Sequence, residues 1–257
     1  MAAKIKIAVV IGARPQFIKH AAFELTAREV FDLVTIHTGQ HYDSNMSEVF
    51  FDELGIGRPS YMLDIGSANH GAQTGRMMIA IEEILEKERP DWTLVYGDTN
   101  STLAGALVSA KLNIPVIHVE AGVRSYNRAM PEEINRVVTD QISSLLFCPI
   151  PLAVENLEKE GVVKNVFLTG DIMLDMIRVC KEKGILKPEE VPSDYYYVTI
   201  HRPYNTDDND RLLYILNHLN ALDHKVVFSL HPRTRHKLFH PHFGFDSYQN
   251  IEFIEPV

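Results

Sequence analysis

The sequence predicts an α/β protein made of two doubly wound parallel sheets, each in its own domain. Short runs of β-branched residues alternate with helical patterns along most of the chain, which is typical of parallel strands joined by crossover helices. The alternation is interrupted once, by the Gly-, Pro- and Glu-containing stretch "KGILKPEEVPSD", and then restarts. This interruption predicts a linker between two domains.

The first predicted domain covers residues 1–170 and contains six strands. They are the apolar, β-branched runs Ile5–Ile11, Leu33–His37, Trp92–Tyr96, Val116–Val119, Leu145–Cys148 and Val166–Thr169. Helical spacing of apolar residues separates several of them, at Gly75–Lys87, Ser101–Leu112 and Pro131–Ser143. We therefore expect one parallel sheet covered by helices.

The linker region covers residues 171–193 and begins with one more helical pattern, at Ile172–Lys183. Residues 194–257 then repeat the strand and helix alternation, as "YYYVTIHRP", a helix near Asp207–Leu222, "KVVFSLHPRT" and "IEFIEPV". Sheets of this class usually have about five or six strands. With three strands, the second domain is expected to be only partly represented in the chain.

Composition and charge exclude several classes of protein. A chain of 257 residues with 46% hydrophobic content can bury a large core. A net charge of −9 argues against a nucleic-acid partner, because phosphates are bound by clustered Lys and Arg. The first apolar run, Ile7–Ile11, is too short for a membrane span, and no later run is long enough. Two cysteines without a CxxC spacing favour a reducing compartment, so we expect a cytoplasmic protein with no membrane partner.

Ionisable and polar residues follow most of the predicted strands. Ligands of open parallel sheets bind outside the carboxyl ends of the strands, and turns there more often consist of Gly, Asn, Ser and Pro. The polar residues at these positions are Arg14, Lys19, Gln40, His41, Asp98, Glu120, Arg124, Glu132, Glu133, His201, Arg202, His231 and Arg233. Together they predict a site for an anionic substrate.

Two cations lie where the first strand turns into a helix. Arg14 and Lys19 would oppose the helix dipole as solvated charges, whereas an anion bound beside them would be favoured. The sequence therefore predicts a phosphate or carboxylate near these residues.

Each carboxylate also has a purely structural interpretation. Asp98 could cap the helix that starts near Ser101. Glu120 lies among apolar residues, where a carboxylate needs a partner such as Arg124. Glu132 follows Pro131 in the first turn of a helix, where acidic residues are favourable without any function. Held close together, however, such carboxylates shift each other's pKa values, so that one acts as a base while another stays protonated.

Eight segments carry a resemblance to a known family. They are "GARPQFIK", "TGQHYDSNMSEVFF", "GDTNSTLAGAL", "HVEAGVRS", "MPEEINR", "TDQIS", "LFCP" and "HRPYN". In order and spacing they resemble the non-hydrolysing UDP-N-acetylglucosamine 2-epimerases, including the branch that acts on UDP-2,3-diacetamido-glucuronic acid. The resemblance implies a GT-B-like fold of two Rossmann-like domains with the active site between them. It also implies elimination of UDP after removal of the sugar's C2 proton, then return of the proton on the other face.

The resemblance also implies roles for individual residues. Asp98, Glu120 and Glu132 become candidates for proton transfer, and His201 for stabilising the departing diphosphate. Arg14 and Lys19 are implied to lie beside the sugar nucleotide, and the substrate-binding set is completed by Gln40, His41, Arg124, Arg202 and His231.

The chain departs from the family pattern in three places. Tyr204 replaces the glutamate of the usual "HRxEN" motif. Gln40 and His41 are followed by Tyr42 and Asp43, unlike members regulated by a second substrate molecule. The chain ends at Val257, before the family's "DSGG" segment. We therefore expect little or no turnover from residues 1–257 alone.

Two other functions stay open on the sequence. A GT-B glycosyltransferase would share the architecture, although one base is typical there and several carboxylates are present here. The other hypothesis is a non-catalytic fragment that binds a sugar nucleotide. As partners, we expect a UDP-sugar substrate and a second copy of the chain in a homodimer. No GxGxxG follows the first strand and no cluster of metal ligands is visible, so we expect neither a nicotinamide cofactor nor a tightly bound metal.

Overall fold

The computed structural model describes residues 4–40, 55–185, 194–238 and 248–255. The chain divides into two compact units, residues 1–187 and 188–257. The division falls inside the linker region 171–193 that the sequence predicts.

The described part of the first unit is built around one parallel sheet. In chain order its strands are β1 (Lys6–Ile11), β2 (Asp32–His37), β3 (Tyr61–Met62), β4 (Trp92–Tyr96), β5 (Val116–Val119), β6 (Leu145–Cys148) and β7 (Val166–Leu168). Their order in the sheet is β3-β2-β1-β4-β5-β6-β7, and every pair is parallel. The order reverses between β1 and β4, and at such a reversal two strand ends open a crevice for a ligand.

Helices cover both faces of this sheet. They are α1 (Arg14–Ala27), α2 (His70–Glu88), α3 (Asn100–Lys111), α4 (Pro131–Ile142), α5 (Pro151–Lys159) and α6 (Ile172–Glu182). Successive residues of β1 point to opposite faces. Val9 therefore joins a cluster with Phe17 of α1, whereas Val10 joins a second cluster with Met77 of α2. Both strand faces are apolar because both are covered.

The helix α6 belongs to the first unit. Met176 is 3% exposed and joins the core cluster on the α1 side of the sheet, with Val179 packed against it. The strand β3 has only two residues, Tyr61 and Met62, which is too short to give a periodic pattern in the sequence. The bounds of the remaining strands lie within one residue of the predicted ones.

The described part of the second unit has a parallel three-stranded sheet, in the order β10-β9-β8. Its elements are β8 (Tyr195–Val198), α7 (Pro203–Thr206), α8 (Asn209–Asn220), β9 (Lys225–Ser229), α9 (Pro232–Leu238) and β10 (Ile251–Ile254). Leu212 and Leu216 of α8 pack on Val226 and Phe228 of β9. The predicted α/β class with parallel sheets is thus confirmed. Within the described ranges, every helix is too short or too polar to cross a lipid bilayer.

Candidate active site

The carboxylate of Glu120 lies at the carboxyl end of β5 and pairs with Lys19 of α1. Glu120 Oε2 is in direct contact with Lys19 Nζ. A Cβ atom built on Gly97 would lie 3.7 Å from Glu120 Oε2 and 3.8 Å from Lys19 Nζ. The pair therefore lies over the backbone at the end of β4. The Lys19 side chain is 13% exposed and that of Glu120 is 30% exposed, so solvent reaches both.

The backbone of Glu120 is in the left-handed region, with φ of 71°. This conformation is uncommon for residues other than Gly, and such strain tends to cluster at functional sites. Two hydrogen bonds hold it, because the N–H groups of Glu120 and Ala121 both donate to the carbonyl of Phe147, at 3.0 and 3.1 Å. The neighbouring strand β6 thus fixes the turn that carries the carboxylate.

Asp98 directly follows Gly97 and pairs with Arg136 of α4. Asp98 Oδ2 contacts Arg136 Nη2, and Asn135 Nδ2 donates to the Asp98 carbonyl at 2.8 Å. The interpretation of Asp98 as the cap of the following helix is wrong. The cap of α3 is Thr99, whose hydroxyl accepts from a backbone N–H of the first turn. The Asp98 carboxylate is thereby left at the strand end.

Adjacent glutamates in the first turn of α4 have different environments. Glu133 is 2% exposed, and it accepts hydrogen bonds from Ser125 N, Ser125 Oγ and Tyr126 N, each at 2.9 Å. Burial raises the pKa of Glu133, but these bonds and that of Arg136 outweigh it and lower the pKa. Glu132 is half-buried and has no hydrogen bond or ion pair with another described residue. Glu133 therefore fixes the loop, and Glu132 is available to a ligand.

The predicted role of Arg124, which is to bind substrate and to pair with Glu120, is wrong. Its side chain is 1% exposed. Arg124 Nη1 lies 2.7 Å from Asp140 Oδ2, and Nε and Nη2 donate to Glu160 at 2.8 and 2.7 Å. The buried carboxylate of Asp140 and the partly exposed carboxylate of Glu160 thus occupy the guanidinium, and these carboxylates raise its pKa despite burial. Glu120 takes Lys19 as its partner instead.

Three further residues of the predicted site belong to the first unit. Gln40 is 8% exposed, and its Oε1 accepts from Ser101 N at 3.0 Å and Ser101 Oγ at 2.7 Å. Its carbonyl therefore holds the start of α3 rather than facing solvent. Arg14 is exposed at the first position of α1, as an anion site there requires. His41 lies outside the described residues.

The second unit has its own polar cluster at the strand ends. His201 and Arg202 follow β8 and are exposed, and His231 follows β9. The His201 and His231 rings stack with centroids 4.8 Å apart. Burial, His201 and the charge of Arg233 lower the pKa of His231, so a neutral ring is favoured there. These residues belong to the second unit, whereas Asp98, Glu120 and Glu132 belong to the first.

The first unit thus brings Lys19, Asp98 and Glu120 to adjacent strand ends, with Glu132 at the start of α4. Arg136 is not among the site residues predicted from the sequence. The sequence does indicate Arg136, because this residue lies four positions after Glu132 on the predicted helix, and side chains at that spacing share a face. Each proton-transfer candidate at a strand end has one cation beside it, an arrangement suited to moving protons near an anionic substrate. Among the described residues, no three His, Cys, Asp or Glu side chains are grouped to hold a metal ion.

Residues 23–257 match the model of a protein family described as UDP-N-acetylglucosamine 2-epimerase. A relative from Methanococcus maripaludis, named UDP-N-acetylglucosamine 2-epimerase homolog, is 47% identical over 98% of this chain and 73% of its own length. The UDP-2,3-diacetamido-2,3-dideoxy-D-glucuronate 2-epimerase of Pseudomonas aeruginosa is 46% identical over 90% of this chain and 68% of its own.

Solved structures agree with these relatives. The crystal structure of Methanocaldococcus jannaschii UDP-GlcNAc 2-epimerase, in complex with UDP-GlcNAc and UDP, superposes with a TM-score of 0.83 at 41% identity. The alignment covers 98% of this chain and 74% of that one. The expected GT-B-like fold class is confirmed by this match.

Proposed function

The chain belongs to the UDP-N-acetylglucosamine 2-epimerase family, and we propose that it interconverts UDP-N-acetylglucosamine and UDP-N-acetylmannosamine. In the first half-reaction, a base removes the C2 proton and the C1–O bond to UDP breaks, which leaves a 2-acetamidoglucal and free UDP. In the second, C2 receives a proton on the opposite face and a UDP phosphate oxygen re-forms the bond at C1. The reaction consumes no oxidant and no water.

The carboxylates supply the proton transfers. Asp98, Glu120 and Glu132 lie at two adjacent strand ends and at the start of the helix that follows them. A base and an acid on opposite faces of C2 are needed, and a carboxylate whose charge is balanced by Lys19 or Arg136 can take either role as protons move. Carboxylates beside these cations are the observation that carries the proposal.

The anionic part of the substrate is assigned to the cations and histidines. Arg14 at the amino end of α1 offers a positive charge together with the helix dipole. Negative charge grows on the diphosphate as it leaves, so donors aimed at it stabilise the transition state. We assign this role to His201, with Arg202 and His231 contributing to substrate binding. The Methanocaldococcus jannaschii enzyme, solved with UDP-GlcNAc and UDP, supports a UDP-sugar ligand.

Solvent exchange at C2 tests the proposal. The complete gene product is incubated with UDP-N-acetylglucosamine in deuterated water, and deuterium at C2 is followed by mass spectrometry. We expect incorporation into both epimers. Asp98→Asn, Glu120→Gln and Glu132→Gln should each reduce the rate by about 10² to 10⁴-fold. Epimer formation without deuterium, or wild-type rates in all three variants, would refute the assignment.

A second substrate has comparable support. The Pseudomonas aeruginosa relative is named for UDP-2,3-diacetamido-2,3-dideoxy-D-glucuronate, and its identity of 46% is close to the 47% of the Methanococcus maripaludis relative. Its sugar carries a carboxylate at C6, which needs a further cation. The same exchange assay with each sugar nucleotide, compared by kcat/KM, decides between the two. Exchange with neither, together with sugar transfer to an acceptor, would favour a glycosyltransferase.

We also propose a cytoplasmic homodimer. Cys148 and Cys180 are free, which suits a reducing compartment. Light scattering after size-exclusion chromatography should give twice the mass of one chain, and a monomer mass would reject the dimer.

A further inference from the structure

A buried charged network lies directly beneath the two strand ends of the candidate site. His118 of β5 and Asp140 of α4 have fully buried side chains, and His118 Nδ1 lies 2.6 Å from Asp140 Oδ1. The other ring nitrogen, His118 Nε2, lies 2.8 Å from the carbonyl oxygen of Gly97. Asp140 Oδ2 accepts from Gly122 N at 3.1 Å and from Arg124. None of these groups belongs to the proton-transfer set.

Both ring nitrogens of His118 face hydrogen-bond acceptors, Asp140 Oδ1 and the carbonyl oxygen of Gly97. A backbone carbonyl can only accept, and an ionised carboxylate can only accept. Asp140 is held ionised, because Arg124 and the Gly122 N–H already donate to its other oxygen. A neutral imidazole has one N–H donor and would leave one of these short contacts without a proton. Both contacts are satisfied when His118 is an imidazolium.

This network holds the backbone on both sides of the carboxylates. Gly97 directly precedes Asp98, and its carbonyl is fixed by His118 while its N–H donates to Val119 O at 3.0 Å. On the neighbouring strand, Gly122 lies two residues after Glu120, and its N–H is fixed by Asp140. The buried, hydrogen-bonded pair of His118 and Asp140 thus ties together the two turns that carry the site carboxylates.

We propose that His118 and Asp140 are positioning residues, which set the relative placement of Asp98 and Glu120, and that His118 is an imidazolium. The proposal rests on the function proposed above, since it assumes that these carboxylates act on the same substrate. It assigns the pair no contact with the substrate. Displacing a reacting group by about 1 Å can cost about 10²-fold in rate, so the pair acts on kcat rather than on binding.

The charge of the ring is tested without any turnover. The complete protein is labelled with ¹⁵N-histidine, and the His118 signals are assigned by their loss in His118→Gln. The ¹⁵N NMR spectrum should show both ring nitrogens of His118 protonated at neutral pH. In Asp140→Asn, which removes the counter-charge, the ring should lose one proton. A wild-type ring with one unprotonated nitrogen would overturn the proposal. The NMR measurement does not depend on epimerase activity. A protein without epimerase activity would reject only the proposed function.

Kinetics test the positioning role. His118→Gln keeps an N–H donor that can reach the Gly97 carbonyl, whereas His118→Leu has none. We expect His118→Leu to lower kcat by about 10- to 100-fold with KM nearly unchanged, and His118→Gln to recover most of the loss. A matched control is Glu24→Gln, which breaks the buried His20–Glu24 pair of α1 and should lower stability without lowering kcat. Equal kcat values for His118→Leu and wild type would overturn the proposal.

Discussion

The adjacent glutamates of α4 allow the same substitution to be compared at two neighbouring positions. Glu132→Gln and Glu133→Gln each remove one charge at nearly constant volume. Glu132 is half-buried and has no partner among the described residues, whereas Glu133 is 2% exposed and fully bonded. We expect Glu132→Gln to impair turnover and Glu133→Gln to impair stability.

The stability loss of Glu133→Gln follows from its bonds. Glu133 Oε2 accepts from both Ser125 donors and from Arg136, and Oε1 accepts from Tyr126 N. The least costly glutamine rotamer places its NH₂ at Oε1, where it faces the Tyr126 N–H. One hydrogen bond to a charged acceptor is lost, worth about 1.5–3 kcal/mol. For a unit of this size, the melting temperature should fall by roughly 3–12 °C, at about 2–4 °C per kcal/mol.

Two measurements on each variant test whether Glu132 acts in turnover and Glu133 in stability. Urea unfolding followed by circular dichroism should place Glu132→Gln within about 0.5 kcal/mol of wild type, and deuterium incorporation at C2 should fall about 10² to 10⁴-fold. Glu133→Gln should lose stability while its folded fraction keeps more activity than Glu132→Gln. If Glu132→Gln unfolds as easily as Glu133→Gln, or if it turns over normally, the two glutamates do not divide catalysis and stability between them.

Three further predictions concern acid, backbone strain and metal. The pKa of Glu133 is lowered in the folded protein from an ordinary value of 4.5, so its stabilisation is present above that value and is lost as pH falls through the lower folded pKa. Urea midpoints should therefore drop below about pH 4.5, and less steeply in Glu133→Gln; equal slopes would contradict this. Glu120→Gly relieves the left-handed backbone, so it should abolish exchange with little loss of melting temperature. A large loss would show that the ion pair with Lys19 is structural. EDTA should leave the exchange rate of the complete gene product unchanged, and a loss restored by a divalent metal would show that one is required.

Much of the fold follows from the sequence because the strands are buried on both faces. Runs such as Ile7–Ile11 are apolar throughout, and the helices between the strands show a different period. The short strand β3 could not be found, since two residues carry no periodicity. The last helix of the first unit was recognised, but its packing on α1 depends on tertiary contacts of Met176 that local sequence does not encode.

The sequence locates the charged residues at the strand ends but not their ion pairs. Asp98 and Glu120 could be located because strand ends meet at one edge of a parallel sheet. The partner of Glu120 could not, because Arg124 is near in sequence whereas Lys19 is 101 residues away. Arg124 turns towards Asp140, a residue whose burial only the packing of α4 determines. Local sequence therefore identified the charges, and the tertiary fold decided which of them are neutralised inside the protein.

The register of the sheet explains why Asp98 and Glu120 are brought together. Tyr96 pairs with Val119 across β4 and β5, so Gly97 lies opposite Glu120 one step further along. A side chain at position 97 would occupy the space beside the Glu120 carboxylate and the Lys19 ammonium, whereas Gly leaves it open. Gly also adopts its φ of 62° without strain, whereas Glu120 adopts a φ of 71° at a cost of about 1–2 kcal/mol. Gly at position 120 would fit that backbone at lower cost, so the glutamate is explained by its carboxylate rather than by the fold.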